Sequence, residues 1–204
     1  MKQTLFTRFL VTSLVACAVA CTPPSPTTNT ANVPEKVASA TPAATTASTP
    51  AAPSAFPDPL NEQKSLEVGA KGVQIYTCGP KKDSPEQFEW SLKAPEAELT
   101  DSKGYKVGKH YGSPDGPVWE SSDGSKVVGD RSKAQSKPAP DSIPWLMLPA
   151  KSTAGKGVFG AVKSIQRLNT TGGKAPETGC DKANAGKEVR VDYTAAYYFY
   201  IAKP

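Results

Sequence analysis

Gly72-Val73-Gln74-Ile75-Tyr76-Thr77-Cys78 reads as a buried β-strand that ends in a cysteine. On an extended chain Val73, Ile75 and Thr77 fall on one face, and Gln74, Tyr76 and Cys78 on the other. Gly79-Pro80 stops the strand, because proline brings no amide hydrogen to a ladder. Runs of the same kind follow at Phe88–Leu92, Ala97–Thr100, Tyr105–Gly108, Pro117–Glu120 and Lys126–Val128. Pro144–Leu148, Ala161–Leu168, Glu188–Tyr193 and Tyr197–Ile201 complete the set, with Leu60–Val68 as a short helical or extended lead-in. Asp101–Gly104 and Ser122–Ser125 predict hairpin turns, with Gly104 and Gly124 free to take positive φ. No long amphipathic helix and no repeat of fixed period interrupts this pattern. Together the runs predict one all-β domain over residues 57–204, sandwich- or barrel-like, built of short, mostly antiparallel strands.

Cys78 has one potential partner within that domain, Cys180. Two free thiols or a metal site are the rivals. Neither fits well, since no second cysteine lies near either one and His110 is the only histidine. The pair therefore predicts a disulfide closing a loop of roughly a hundred residues, worth about 4 to 5 kcal/mol in the chain-entropy picture. No metal motif and no cofactor motif is legible in the sequence.

The chain before the domain carries an address. Lys2 and Arg8 precede an apolar run from Phe9 to Ala20, too short to span a bilayer as a helix. This is a signal peptide over residues 1–20, with cleavage before Cys17 or Cys21. Leu14-Val15-Ala16-Cys17 and Ala18-Val19-Ala20-Cys21 both resemble the bacterial lipobox, whose cysteine thiol receives diacylglycerol. Cys17 is the better match through Leu14, and Cys21 leaves a longer apolar run and no spare thiol. Plain secretion, with Ala18-Val19-Ala20 as the cleavage site, is the alternative; either way the product is extracytoplasmic. Residues 22–56 are rich in Thr, Pro, Ala and Ser and have no periodic apolar face, which predicts a disordered tether reaching roughly 30 Å. The expected partner is thus a membrane, reached through a lipid anchor.

Charge excludes one class of partner. The chain has 24 basic and 19 acidic residues, and Lys2, Arg8, Lys36 and Glu35 lie ahead of the domain, which leaves it near +3. That balance, with both signs interspersed, is too mild for a nucleic-acid surface.

Several motifs together resemble an uncharacterised family, domain of unknown function 3455, found in secreted bacterial and fungal proteins. They are Gln74-Ile75-Tyr76-Thr77-Cys78, His110-Tyr111, Gly116-Pro117-Val118-Trp119-Glu120 and Asp123-Gly124-Ser125. Ile143-Pro144-Trp145-Leu146, Ile165–Thr170 with Gly172-Gly173, and Tyr193–Tyr200 extend the likeness across Leu66 to Ile201. Ser113-Pro114-Asp115 departs from the family pattern as an insertion. The resemblance implies no activity. Some fungal relatives carry a malate dehydrogenase label, but this chain has neither a Gly-x-Gly-x-x-Gly after a strand nor a βαβ pattern.

His110 to Ser125 is the densest candidate for a site, with His110, Trp119, Glu120 and Asp123 near two turns. In one reading Trp119 stacks on a flat ligand, such as a glycan ring or another envelope component, while the carboxylates accept its hydroxyls. In another, a hydrolase-like enzyme uses His110 as general base, oriented by Glu120 or Asp123. In the third, Trp119 is core, His110 caps a turn and Glu120 faces solvent. No nucleophile is identifiable, because Ser121, Ser122 and Ser125 stand in no Gly-x-Ser-x-Gly elbow. Trp145 is expected in the core, Tyr198 and Tyr200 on one side of the last strand, and Gly172-Gly173 in a flexible loop. The sequence thus supports an envelope-tethered binding or structural module ahead of an enzyme.

Overall fold

The computed structural model describes residues 56–204; the leader, Cys17, Cys21 and the tether lie outside them, save for Phe56. Nine strands form one antiparallel sheet: β1 Glu62–Lys81, β2 Ser84–Thr100, β3 Lys106–Ser113, β4 Gly116–Ser121, β5 Lys126–Gly129, β6 Gln135–Ala139, β7 Ser142–Ala154, β8 Val162–Gly172 and β9 Glu188–Ala202. Their spatial order is β5-β4-β3-β2-β1-β9-β8-β7-β6, and a further pairing of β5 with β7 closes the sheet on itself. The result is an eight-stranded antiparallel barrel, with β6 attached outside it to the first half of β7. Closure removes the exposed sheet edges that an open arrangement would leave.

The strands are longer than the sequence runs suggest. Leu60–Val68 does not form a separate lead-in: most of it belongs to β1, where Leu66, Val68, Ala70, Gly72, Gln74, Tyr76 and Cys78 keep one unbroken period of two. Gly72 lies within that run because β2 passes so close that an added Cβ would meet Glu96 O at 2.1 Å. Phe88–Leu92 and Ala97–Thr100 likewise join as β2, and Glu188–Tyr193 and Tyr197–Ile201 as β9. Bulges absorb the bends of these long strands, for example at Lys93 on β2, opposite the Ile75–Tyr76 step of β1, and between Leu168 and Thr171 on β8. Strand β6 has no counterpart in the sequence reading, since it has no apolar face: Gln135, Ser136, Lys137 and Pro138 are all exposed.

One end of the barrel is packed solid. Val68, Leu99, Val127, Phe159, Val162 and Phe199 belong to a single apolar cluster. Phe159 packs against Phe199 with ring centroids 4.6 Å apart and the rings tilted by 47°. Its loop is latched by Asp123, which accepts from Val158 N at 2.9 Å and from the Ser125 hydroxyl at 2.6 Å, while Ser125 Oγ accepts from Phe159 N. The two expected turns form, and Gly104 and Gly124 both have φ of +85°.

At the other end Cys78 and Cys180 are bonded, with Cα atoms 5.4 Å apart and a sequence separation of 102. The bond joins the end of β1 to the segment that links β8 to β9. Outside the barrel the entering chain packs across β8 and β9. Phe56 is buried, Gln166 Nε2 donates to Pro57 O at 3.1 Å, and the Tyr200 hydroxyl donates to Asp58 at 2.7 Å. Tyr198 and Tyr200 do share the outer side of β9, yet Tyr200 is buried there by this segment. Trp145 is not core: it sits half-buried on β7 opposite Lys137 of the appended strand.

Candidate functional site

The barrel interior is not filled throughout. Between the apolar cluster and the disulfide end lies a cavity of about 320 Å³, to which every barrel strand but β5 contributes a lining residue. Gln74 and Tyr76 come from β1, His110 from β3, Trp119 from β4, Arg167 from β8 and Tyr197 from β9. Ile143, Leu146 and Leu148 of β7 form an apolar wall. Leu92, Arg131 and Pro144 are exposed and form the rim.

The strand period of two decides who enters. His110 and Trp119 are cross-strand partners on β3 and β4, and both point inward. Their rings stack 4.3 Å apart at 16°, with Tyr197 edge-on to Trp119 at 5.3 Å. His110 is therefore on a strand and not in a loop, and it caps no turn. Glu120, one residue along from Trp119, faces outward. There it stands in register between Lys109 and Lys126, 3.5 and 3.2 Å from their ammonium groups, and accepts from the Tyr111 hydroxyl at 2.8 Å. Tyr111 is the first cause of a lowered Glu120 pKa. Asp123 serves the turn and latch described above, whose hydrogen bonds, from Ser125 first, hold its carboxyl down to about 2. The structure thus joins His110 to Trp119 and places neither Glu120 nor Asp123 beside them.

His110 Nδ1 lies 2.8 Å from Val118 O; against a carbonyl this nitrogen must carry the proton, which leaves Nε2 as an acceptor. Burial lowers the imidazole pKa to about 3, with the backbone bond to Val118 opposing and the nearby Arg167 charge assisting. A base so weak is unprotonated at neutral pH and takes up protons poorly. The unfolded chain binds a proton to this histidine below about pH 6.5 that the folded barrel refuses until about pH 3. The contribution is constant above pH 6.5 and is lost as pH falls, at about 1.4 kcal/mol per unit across that window. Chemical denaturation between pH 4 and pH 7 should show this extra slope in the wild type and not in His110→Phe. Equal slopes in the two proteins would refute it.

Four polar atoms at or beside the cavity are buried without a hydrogen-bond partner: Gln74 Nε2, Trp119 Nε1 and the hydroxyls of Tyr193 and Tyr197. Tyr193 and Tyr197 influence one another, and Arg167 influences both, without any bond of ordinary geometry at either hydroxyl. Burial raises the pKa of both phenols, so both stay protonated donors. Tyr76, by contrast, is satisfied, its hydroxyl donating to Gly173 O at 2.6 Å. Gly172-Gly173 is accordingly a fitted part of this end: both residues have positive φ, and an added Cβ on Gly173 would meet Tyr193 at 2.8 Å. Among the described residues no group of three or more His, Cys, Asp and Glu side chains is placed to hold a metal.

Gln74, Tyr76, Arg167, Tyr193 and Tyr197 are absent from the sequence-derived candidates. Their signal was a glutamine on the inward face of β1 and an arginine inside the apolar run of β8, both out of place in an ordinary core.

The profile of the family described as "Protein of unknown function (DUF3455)" matches residues 59–201, which takes in all the barrel strands. Neither the curated proteins nor the solved structures yield a match.

Proposed function

We propose, for a chain that belongs to the DUF3455 family of proteins of unknown function, that the barrel is an extracytoplasmic binding module holding one small molecule in its interior. The observation that carries this reading is a set of four buried, unpartnered polar atoms, three of them on residues that line one cavity (Gln74, Trp119 and Tyr197) and the fourth, on Tyr193, beside them. Each such group costs about 1 to 3 kcal/mol when left unsatisfied. A core selected for stability alone would have replaced them, and Tyr→Phe is the smallest such change. A cavity of 320 Å³ falls at the small end of ligand pockets, which suits a single ring or a short chain and not a polysaccharide. Trp119 then recognises its ligand from the wall of a pocket and not from an exposed platform.

The address is the one read from the sequence: a leader over residues 1–20, lipid on Cys17 or Cys21, and a tether that lets the barrel work away from the membrane, in the periplasm or at the cell surface. The Cys78–Cys180 bond accords with an oxidising compartment. Mass spectrometry of the mature protein should find diacylglycerol on its first cysteine; a bare N-terminus would remove the anchor and leave plain secretion.

Calorimetric titration with cinnamate, cinnamamide, octanoate and octanol tests the binding reading. At least one of these probes should bind saturably at one site per barrel. Ala134→Trp, which places a large ring at the cavity wall, should abolish that binding without lowering the unfolding midpoint. If none of the four binds at millimolar concentration, the cavity holds only water and the reading is withdrawn.

A further inference from the structure

Within that binding reading, on which this inference rests, we propose that the ligand is a small monocarboxylic acid and that Arg167 is the residue that recognises its carboxylate. Arg167 interrupts the apolar run of β8 and pairs across the sheet with Leu146 and Tyr197, both of which line the cavity. Its Nε and Nη2 donate to the single carbonyl of Pro144, at 3.1 and 2.8 Å. A guanidinium has five N–H donors, so this leaves three, two on Nη1 and one on Nη2. One hydrogen on each Nη lies along the terminal edge that meets a carboxylate as a fork, and the third points back toward Cδ. Pro144 O also holds the group in one orientation, which lowers the entropy cost of using it.

The surroundings supply no counter-charge. No carboxylate lines the cavity, and among the described residues neither Arg167 nor Arg131 at the rim pairs with one. Elsewhere on the barrel cations do find carboxylates, as Arg190 does with Glu96 and Lys93 with Glu188. The unpartnered atoms have one chemical character as well. An indole N–H and an amide nitrogen are donors only, and two protonated phenols each have a hydrogen to give. Apart from the acceptor nitrogen of His110, the free groups of the site are donors beside an arginine, and they call for a group rich in lone pairs, which describes an ionised carboxylate. A hydroxyl or an amide would bring donors of its own. Ile143, Leu146, Leu148 and Trp119 offer the apolar wall for the body of the same molecule.

Cinnamate and its near-isostere cinnamamide separate the charge from the shape. At pH 7 the wild-type barrel should bind the acid at least about tenfold more tightly than the amide, as expected for hydrogen bonds to an ionised partner. Arg167→Gln should remove that preference while keeping the amide affinity. Arg167→Lys, which retains the charge without the fork, should keep only part of it. Tyr197→Phe should weaken acid binding with an unfolding midpoint equal to the wild type or higher, because the hydroxyl it deletes has no partner. Equal affinity for acid and amide would overturn the carboxylate assignment and leave the binding reading standing. An acid preference that survives Arg167→Gln would overturn the role of Arg167. Should Arg167→Gln fail to fold, Tyr197→Phe decides, and unchanged acid affinity there counts against the proposal. If neither cinnamyl probe binds, this inference falls, and the binding reading falls with it only when octanoate and octanol fail as well.

Discussion

Replacing Trp119 by alanine should lower the unfolding free energy of the barrel by about 3 to 5 kcal/mol. The indole is 2% exposed and lies between the imidazole of His110, 4.3 Å away, and the edge contacts of Tyr197 and Phe199. Alanine would enlarge an existing cavity and not merely open a new one, so the walls have little prospect of collapsing to fill it. Trp119→Phe should cost much less, since it keeps an aromatic ring against His110 and deletes an N–H that has no partner. Urea titrations of the three proteins decide the matter. A loss below about 1 kcal/mol for Trp119→Ala would mean that the indole is not part of the packed interior.

Removing the disulfide should have an effect of similar size. A crosslink that spans 102 residues restrains the unfolded chain by about 4 to 5 kcal/mol in the loop-entropy model, and Cys78→Ala with Cys180→Ala gives up that restraint. The loss has a local side too. Cys78 N donates to Lys187 O, Gly186 N donates to Cys78 O, and Trp90 Nε1 donates to Thr178 O, so the bond anchors the whole segment between β8 and β9. That segment begins at Gly173, whose carbonyl orients Tyr76 beside the cavity. The double variant should therefore unfold at markedly lower denaturant and exchange the amides of residues 173–187 faster than the rest of the barrel. A midpoint that does not change on reduction or substitution would refute the estimate.

Both effects bear on how the site is built. Trp119 is a core residue and a cavity wall at once. The reason is closure: in a sandwich the inward face of a strand is filled by the opposing sheet, whereas a barrel interior near the mouth has no opposing layer. His110 follows the same logic. It is buried apart from both Glu120 and Asp123, as a packed ring with one acceptor nitrogen.

What the sequence determined alone is whatever depends on neighbours along the chain. The alternation of Gly72 to Cys78 assigned Gln74, Tyr76 and Cys78 to one face, and all three are buried on it. The turns at Gly104 and Gly124 were legible because positive φ is a local demand. The pairing of Cys78 with Cys180 followed from scarcity, and the family from a series of short motifs that the profile over residues 59–201 confirms. The choice of barrel over sandwich was not legible, since it turns on β5 meeting β7, a pairing of four residues that nothing local announces. The site was mostly hidden for the same reason. Proximity in sequence grouped Glu120 and Asp123 with His110, but the pleat sends Glu120 to the outer face and the turn claims Asp123. Arg167, Gln74 and Tyr197 come from three strands that lie far apart in the chain, and only the closed sheet brings their polar ends to one cavity.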